Sequence, residues 1–478
     1  MKENAIPPNI LWICTDQQRF DTIGALNNAH VSTPNIDSLA RHGTAFERAY
    51  CQSPICTPSR ASFLTGYYPG RLRWTRNGNQ APPCDHPPLV TRLLNDRGYV
   101  CGNVGKLHLS SAYGRIEERT DDGYDYWEYS HAPRDDWPRG HGYADWVRSQ
   151  GEILADLVPR PEGVPEHLHQ TTWCSEKAIE FMRTDHSSPW MLTVNIYDPH
   201  PPFNPPPRYR EMFDPDQMPG PLFRETDLAQ QEKLRKVDFQ SEARKPDNLD
   251  IDNRFGPTER RADARTLQAA YYSMIKLIDD QLGRMLMALE ETGQRRNTAI
   301  IFTADHGEML GDHGLIQKGC RFYEGLVRVP LIVSWPEQVN EGVVSPALVE
   351  LMDLAPTVLE LAGMRAQSAM DGQSLLPLLK GQASPDRHRE FVRCEYFDAL
   401  QRPDASYATM YRDDRYKLVV YHGHDLGELY DLHDDPGEFD NLWDKSAFQS
   451  LKGELAMQSF DASIRGSIDV GTRRIGPM

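Results

Sequence analysis

Three stretches of this 478-residue chain are almost wholly apolar, and each runs into an aspartate. Asn9-Ile-Leu-Trp-Ile-Cys-Thr15 is closed by Asp16, Trp190-Met-Leu-Thr-Val-Asn-Ile-Tyr197 by Asp198, and Thr298-Ala-Ile-Ile-Phe-Thr-Ala304 by Asp305. Apolar runs of this length, without polar alternation, read as strands buried on both faces. That requires a mostly parallel sheet covered by helices. In such open sheets, ligands gather beyond the carboxyl ends of the strands. Four polar clusters follow predicted strands: Asp16-Gln17, Lys106-x-His108 behind Tyr99–Val104, His200 behind Trp190–Tyr197, and Asp305-His306 with Lys318 further on. Each alone has an ordinary explanation as a cap, core or surface side chain. Together they are consistent with one pocket at the sheet's carboxyl edge.

Helices alternate with these strands, as α/β layering demands. Thr33 reads as a cap, Pro34 as a first helical position, Ile36, Leu39 and Ala40 as an inner face and Gly43 as a stop. Leu89 to Leu94 reads as a helix ended by Gly98. From Leu267 to Gly293 the apolar residues fall at helical spacing, marking a long amphipathic helix. Val327–Trp335 reads as one strand and Leu351–Leu359 as a helix. Arg76–Asn79 reads as a turn. Residues 121–150, rich in Tyr, Trp, His and Asp, read as a long surface loop that could wall a pocket, and 204–262 as a polar excursion from the core. The pattern changes near Asp371–Leu376. Glu390–Glu395, Tyr416–Tyr421 and Glu428–Leu432 then suggest short antiparallel strands. The expected domains are therefore 1–375, an α/β domain, and 376–478, a smaller α+β domain.

The stretch Cys51-Gln-Ser-Pro-Ile-Cys56-Thr-Pro-Ser-Arg60-Ala-Ser-Phe-Leu-Thr-Gly66 supplies the most specific chemistry. Pro58 suits a first helical position, and Gly66 suits a C-terminal stop. Cys56 then sits at the mouth of a helix, where backbone N–H groups favour an anion. Arg60, one turn in, adds a fork of donors suited to a tetrahedral oxyanion. By itself the stretch also reads as a buried free cysteine ahead of a helix.

Cys56-Thr-Pro-Ser-Arg60 followed by Leu64-Thr65-Gly66 resembles the signature of the sulfatase family, whose cysteine is oxidised after translation to Cα-formylglycine. Tyr67 stands where the family often has Arg or Lys. The other clusters match the family's pattern in chain order over most of residues 9–380. The resemblance implies an alkaline-phosphatase-like fold: a mixed, mostly parallel α/β sheet flanked by helices, with a smaller C-terminal α+β domain. It implies one divalent cation held by Asp16, Asp305 and His306, with residue 56 contributing an oxygen. Carboxylate ligands suit Ca²⁺ or Mg²⁺, and the imidazole leaves Mn²⁺ open. Gln17, where the family usually has a second Asp, would ligate through its amide oxygen or hydrogen-bond the substrate. One hydroxyl of the aldehyde hydrate would attack sulfur and the other expel sulfate. By the same resemblance His108 is the base for the second step. Lys106, Lys318 and Arg60 neutralise the transferring oxygens, and His200 protonates the leaving group. Asn77 either touches substrate or is simply a turn residue.

The expected activity is thus hydrolysis of small-molecule or saccharide sulfate esters, after maturation by a formylglycine-generating enzyme. The nearest rival is a phosphonate monoester hydrolase or phosphodiesterase of the same superfamily. It shares the formylglycine, the Gln after the first Asp and the Asp-His pair. Lys106-x-His108 favours the sulfatase, because those relatives tend to carry uncharged hydroxyl residues there. A non-enzymatic binding protein on a dead sulfatase fold requires a degraded metal or nucleophile set, and none is degraded. Composition bears on partners: 52 Lys and Arg against 69 Asp and Glu give a net charge of −17, which argues against nucleic acid. No apolar run is long enough to span a bilayer, and the first residues carry no apolar leader. Eight cysteines in so long a chain are not a disulfide framework. A cytoplasmic location is expected unless a leader was removed, and homo-oligomerisation is left open.

Overall fold

The computed structural model describes residues 7–78, 82–112, 114–133, 136–160, 163–238, 244–250, 261–400 and 405–467. Asn79 of the predicted turn and parts of the 204–262 excursion lie outside the described residues. In chain order the strands of the first 350 residues are β1 (Asn9–Asp16), β2 (Gly43–Tyr50), β3 (Val100–Gly105), β4 (Tyr126–Tyr129), β5 (Trp190–Pro199), β6 (Leu249–Asp250), β7 (Arg261–Ala262), β8 (Thr298–Ala304), β9 (Arg328–Val329), β10 (Leu331–Ser334) and β11 (Val343–Glu350). Strands β6 and β7 form a separate ribbon. The rest make one nine-stranded sheet in the order β11-β2-β10-β8-β1-β5-β3-β4, with β9 beside β2. The run from β8 through β1, β5 and β3 to β4 is parallel, and β10 is antiparallel to both its neighbours. This is the mixed, mostly parallel sheet that the apolar runs predict.

Side-chain alternation divides β1 between two cores. Ile10, Trp12 and Cys14 point to one, shared with the helix that starts at Cys56. Leu11 and Ile13 point to the other, under the long helix Ala264–Glu291. That helix is capped by Asp263, whose side chain accepts from the N–H groups of Arg265 and Thr266 at 3.0 and 3.1 Å. The C-terminal region is an antiparallel sheet of β12 (Val392–Phe397), β13 (Tyr407–Arg412), β14 (Tyr416–Tyr421) and β15 (Leu426–Asp431), followed by the helix Gln449–Ser467.

Several local expectations are corrected. The helix Pro34–Arg41 ends on His42, and Gly43 opens β2 instead of stopping the helix. A Cβ at Gly43 would lie 2.2 Å from the Val333 carbonyl oxygen, so close sheet pairing is what that glycine permits. Thr33 holds the N-cap position, but its hydroxyl makes no capping bond and instead bridges Gly24 N–H and Asp37. Pro330 divides the Val327–Trp335 strand into β9 and β10, since proline cannot donate to a ladder. Residues 121–150 are not a surface loop throughout. They contain β4 and the helix Gly142–Ser149, and Tyr129, Trp137, His141 and Tyr143 are buried. Trp137 stacks on His141 with ring centroids 4.0 Å apart, so the aromatic residues form a packed wall.

Candidate active site

Strand register creates the site. Thr15 of β1 stands opposite Ala304 of β8, and the Asp305 N–H donates to the Thr15 carbonyl at 3.2 Å. Asp16 and Asp305 therefore leave adjacent strands side by side. Gln17 turns with φ 70°, and its N–H donates to Asp305 Oδ1 at 3.0 Å. At the end of β3, Lys106 N–H donates to the Asn195 carbonyl of β5 at 3.0 Å. The preceding Gly105 has φ 93°, and a Cβ there would lie 2.0 Å from that same oxygen. Only glycine lets the chain turn so close to β5 and deliver Lys106 to the strand ends.

Cys56 is the first residue of the helix Cys56–Thr65, entered from the extended Ile55; Pro58 is its third residue, where the sequence suggested the first. Gly66 ends the helix with φ 84°, as expected. The whole helix is buried, which fixes Cys56 against the strand ends. Four groups surround its sulfur: Lys318 Nζ at 2.7 Å, His306 Nε2 at 3.2 Å, Asp16 Oδ1 at 3.7 Å and Lys106 Nζ at 3.8 Å. Lys106 also donates to Asp16 Oδ2, and Lys318 to Gln17 Oε1 at 3.1 Å.

Arg60 is placed differently from the expectation. Its guanidinium is fully buried and faces the protein. Nε donates to Asp305 Oδ2 at 2.8 Å, one terminal nitrogen to the Lys106 carbonyl at 2.7 Å and Asn195 Oδ1 at 3.2 Å, and the other reaches Asp16 Oδ2 at 3.5 Å. It clamps the acidic pair and the Lys106 turn. His200 follows β5, its Nδ1 2.7 Å from the Pro201 carbonyl and its ring against Tyr197. His108 takes φ 56° and packs edge-on to His131, with ring centroids 4.5 Å apart. Gly78 abuts it: a Cβ there would lie 2.6 Å from His108 Nε2. The neighbouring Asn77 donates its N–H to the Ala399 carbonyl at 2.9 Å, while its Oδ1 is buried without a hydrogen-bond partner among the described residues.

The charges are concentrated and dry. Burial pushes the Asp16 carboxyl up, but Lys106, His200, Lys318 and Arg60 outweigh it and hold the group well below the usual carboxylate range. Burial and Asp16 push the Cys56 thiol up, yet Lys106, Lys318 and His306 leave it below its ordinary value. Burial lowers His200 well below the ordinary histidine range, with Lys318 the next cause. His108 is lowered likewise, by burial and then Lys106. Both shifts favour the neutral imidazole.

Asp16, Cys56, Asp305 and His306 each offer one donor atom, all within 4.8 Å of one another and all buried. His306 Nδ1 lies 2.8 Å from the Gly307 carbonyl and donates to it, which turns Nε2 toward the cluster. Two carboxylates and one imidazole in a closed, polar pocket fit a divalent cation.

Three supporting residues were not foreseen. Glu308 accepts from Gln17 Nε2 and from the N–H groups of Leu310 and Gln317. Its place directly after Asp305-His306-Gly307 was the available signal. Asn195 and His131 gave none, since one sits inside an apolar strand and the other inside the supposed loop.

Comparison with known proteins is consistent with this geometry. A family model described as Sulfatase matches residues 8–364, and one described as N-sulphoglucosamine sulphohydrolase, C-terminal, matches residues 311–463. An arylsulfatase of Clostridium perfringens is 30% identical over 457 residues, covering 91% of this chain and 90% of that protein. A multifunctional alkaline phosphatase superfamily protein of Trinickia caryophylli, PehA, is 31% identical, covering 94% of each. The solved phosphonate monoester hydrolase of Agrobacterium radiobacter superposes with a TM-score of 0.79 at 26% identity, covering 96% of each chain.

Proposed function

The chain belongs to the sulfatase family, and on that premise we propose that it is a formylglycine-dependent sulfuric ester hydrolase acting on small-molecule or saccharide sulfates. The observation that carries this reading is the convergence around residue 56 of Asp16, Asp305 and His306 together with Lys106 and Lys318. In this reading Asp16, Asp305 and His306 hold one divalent cation, with Gln17 a further oxygen donor and calcium the first choice. Such a cation draws charge from a sulfate oxygen and makes a hydroxyl at residue 56 more acidic. Oxidation of Cys56 to Cα-formylglycine, by a dedicated maturation enzyme, would give an aldehyde, and addition of water to it a hydrate with two hydroxyls on one carbon, one to attack sulfur and one to expel sulfate.

The remaining chemistry belongs to the chain's own side chains. Lys106 and Lys318 hold the transferring oxygens in a water-poor pocket, where their charges act at full strength. Arg60, saturated by Asp305, Asp16, Asn195 and the Lys106 carbonyl, is a positioning residue. His108, neutral and next to Lys106, suits the base that takes the second hydroxyl's proton. His200 must carry a proton to give to the leaving oxygen. An anionic ester bound beside it favours the imidazolium and supplies that condition. The unpaired Asn77 Oδ1 suits a donor on the substrate.

A second reading, hydrolysis of phosphonate monoesters or phosphate diesters, draws on the phosphonate monoester hydrolase neighbour and the multifunctional relative. Turnover of 4-nitrophenyl sulfate, measured with peptide mass spectrometry of residue 56 on the same preparation, tests the first. Activity should scale with the aldehyde-bearing fraction. Full activity with cysteine alone at position 56 would overturn it.

A further inference from the structure

The backbone that carries Lys106 and His108 is held by a carboxylate eleven residues downstream of Lys106. After Gly105 the chain turns left-handed again at His108, φ 56°, a conformation a histidine adopts at some cost. Three successive amide N–H groups, of His108, Leu109 and Ser110, then point at one side chain, Glu117. His108 N–H donates to Oε2 at 2.8 Å, Ser110 N–H to Oε1 at 2.8 Å, and Leu109 N–H to the same Oε1. Glu117 is 4% exposed. The remaining ties are elsewhere: Trp74 Nε1 donates to the Leu109 carbonyl at 2.8 Å, and the Ser110 hydroxyl to the Glu118 carbonyl at 2.7 Å. Neither satisfies the three amides.

We propose that Glu117 is a positioning residue for the reaction: its buried carboxylate gathers the N–H groups of residues 108–110 and so sets where His108 and Lys106 stand. An ionised carboxylate is acceptor-only on both oxygens and takes three converging donors without opposing any of them. Burial pushes this carboxyl up to about 7, while the three amides and Arg60 pull it down. Glutamine has nearly the same shape but turns an NH₂ toward at least one amide. The inference rests on the reading of Lys106 and His108 as substrate-facing groups.

The test uses Glu117→Gln and Glu117→Asp in the mature, metal-loaded enzyme, with kcat and KM measured on whichever 4-nitrophenyl ester the wild type turns over fastest. That choice separates failure of this inference from failure of the sulfate reading. Glu117→Gln should lower kcat by about 100-fold, the scale of an ångström-level misplacement, with KM changed less than about threefold. Glu117→Asp should fall between wild type and Gln, because it restores the charge. Hydrogen–deuterium exchange should show the peptide across 106–112 losing protection in Glu117→Gln while peptides from β1 and β8 keep theirs. An unchanged kcat, or protection lost equally throughout the chain, overturns the proposal. Should the Gln variant fail to fold, the Asp variant decides alone: wild-type kcat with faster exchange at 106–112 also overturns it.

Discussion

Lys318 Nζ stands 2.7 Å from Cys56 Sγ, although 262 positions separate the two residues. The same ammonium reaches Gln17 Oε1 and is 8% exposed. Burial works against its charge, while the Cys56, Asp16 and Asp305 anions raise its pKa, so the charge is retained. Lys318→Ala should therefore reduce kcat/KM by roughly 10²–10³, as loss of one preorganised donor does elsewhere. Lys318→Arg should not restore it, because the planar fork cannot occupy a space shaped for a compact ammonium. Steady-state kinetics on an aryl sulfate check this; a Lys318→Ala variant within twofold of wild type removes Lys318 from the site.

Peptide mass spectrometry of the mature protein should find an aldehyde in place of the Cys56 thiol. Cys56→Ser should lose turnover while keeping the fold, since serine supplies one hydroxyl and the helix Cys56–Thr65 is otherwise untouched. Steady turnover by the serine variant at the wild-type rate would refute the role given to the hydrate.

The acidic pair supports both the cation and the fold. Asp305 accepts from Arg60 Nε at 2.8 Å, with both side chains at most 1% exposed. Removing one partner of a buried pair strands the other charge, a loss of about 3–5 kcal/mol. Asp305→Ala should thus abolish bound metal and lower stability by about that amount in chelator. Asp85→Ala, which breaks the exposed Arg73–Asp85 pair, should cost about 0–1 kcal/mol. Metal analysis and urea unfolding check both, and stoichiometric metal in Asp305→Ala would dissolve the shared site.

The parts of this arrangement that were legible in the sequence are those where local pattern and tertiary role agree. Strands β1, β5 and β8 announced themselves because burial on both faces leaves no polar alternation, and their terminal aspartates followed. Gly66 was legible because a left-handed helix end leaves few other choices. Strands β2 and β11 were not, since Glu47-Arg48 and Pro346 interrupt their apolar character. The helix Gly142–Ser149 was masked by aromatic residues that read as loop-like. The direction of the Arg60 side chain could not be read at all, because its acceptors lie at Lys106, Asn195 and Asp305, far along the chain. Partners set by folding, and not by spacing, decide such orientations.

Stability should carry the mark of His108. Burial, then Lys106 and His131, hold its pKa well below the ordinary value. The unfolded chain takes up this proton near pH 6.5 and the folded chain does not. The contribution is therefore complete above about 6.5 and is lost as the pH falls below it, at about 1.4 kcal/mol per pH unit. Glu117, raised to about 7, acts in the opposite sense over part of that range, so the wild-type curve alone is not diagnostic. The difference is: stability of the wild type relative to His108→Asn should fall by about 1.4 kcal/mol per unit between pH 6.5 and 5. Asparagine tolerates the left-handed backbone there. Urea unfolding at four pH values measures it, and parallel curves would show that the imidazole is protonated in the folded state.

Substrate preference divides the two readings of the site. A sulfate monoester, a phosphonate monoester and a phosphate diester each bear one negative charge, so net pocket charge does not separate them. The difference lies in the oxygens. A sulfate monoester presents three terminal oxygens, whereas a diester or phosphonate monoester presents two and a substituent that needs room. Here Lys106 and Lys318 stand 3.8 and 2.7 Å from the residue 56 sulfur, and His108 is pressed between Gly78 and His131. That side is crowded with donors. The enzyme should therefore show a higher kcat/KM for 4-nitrophenyl sulfate than for the matched phenylphosphonate or phosphate diester. Lys106→Ala and His108→Ala should damage the sulfate reaction more than the other two, because Lys106 is a donor to the third oxygen and both truncations open the space a substituent needs. Kinetics on the three matched esters, wild type and both variants side by side, decide the matter. A wild-type preference for the phosphonate or the diester transfers the assignment to the second reading.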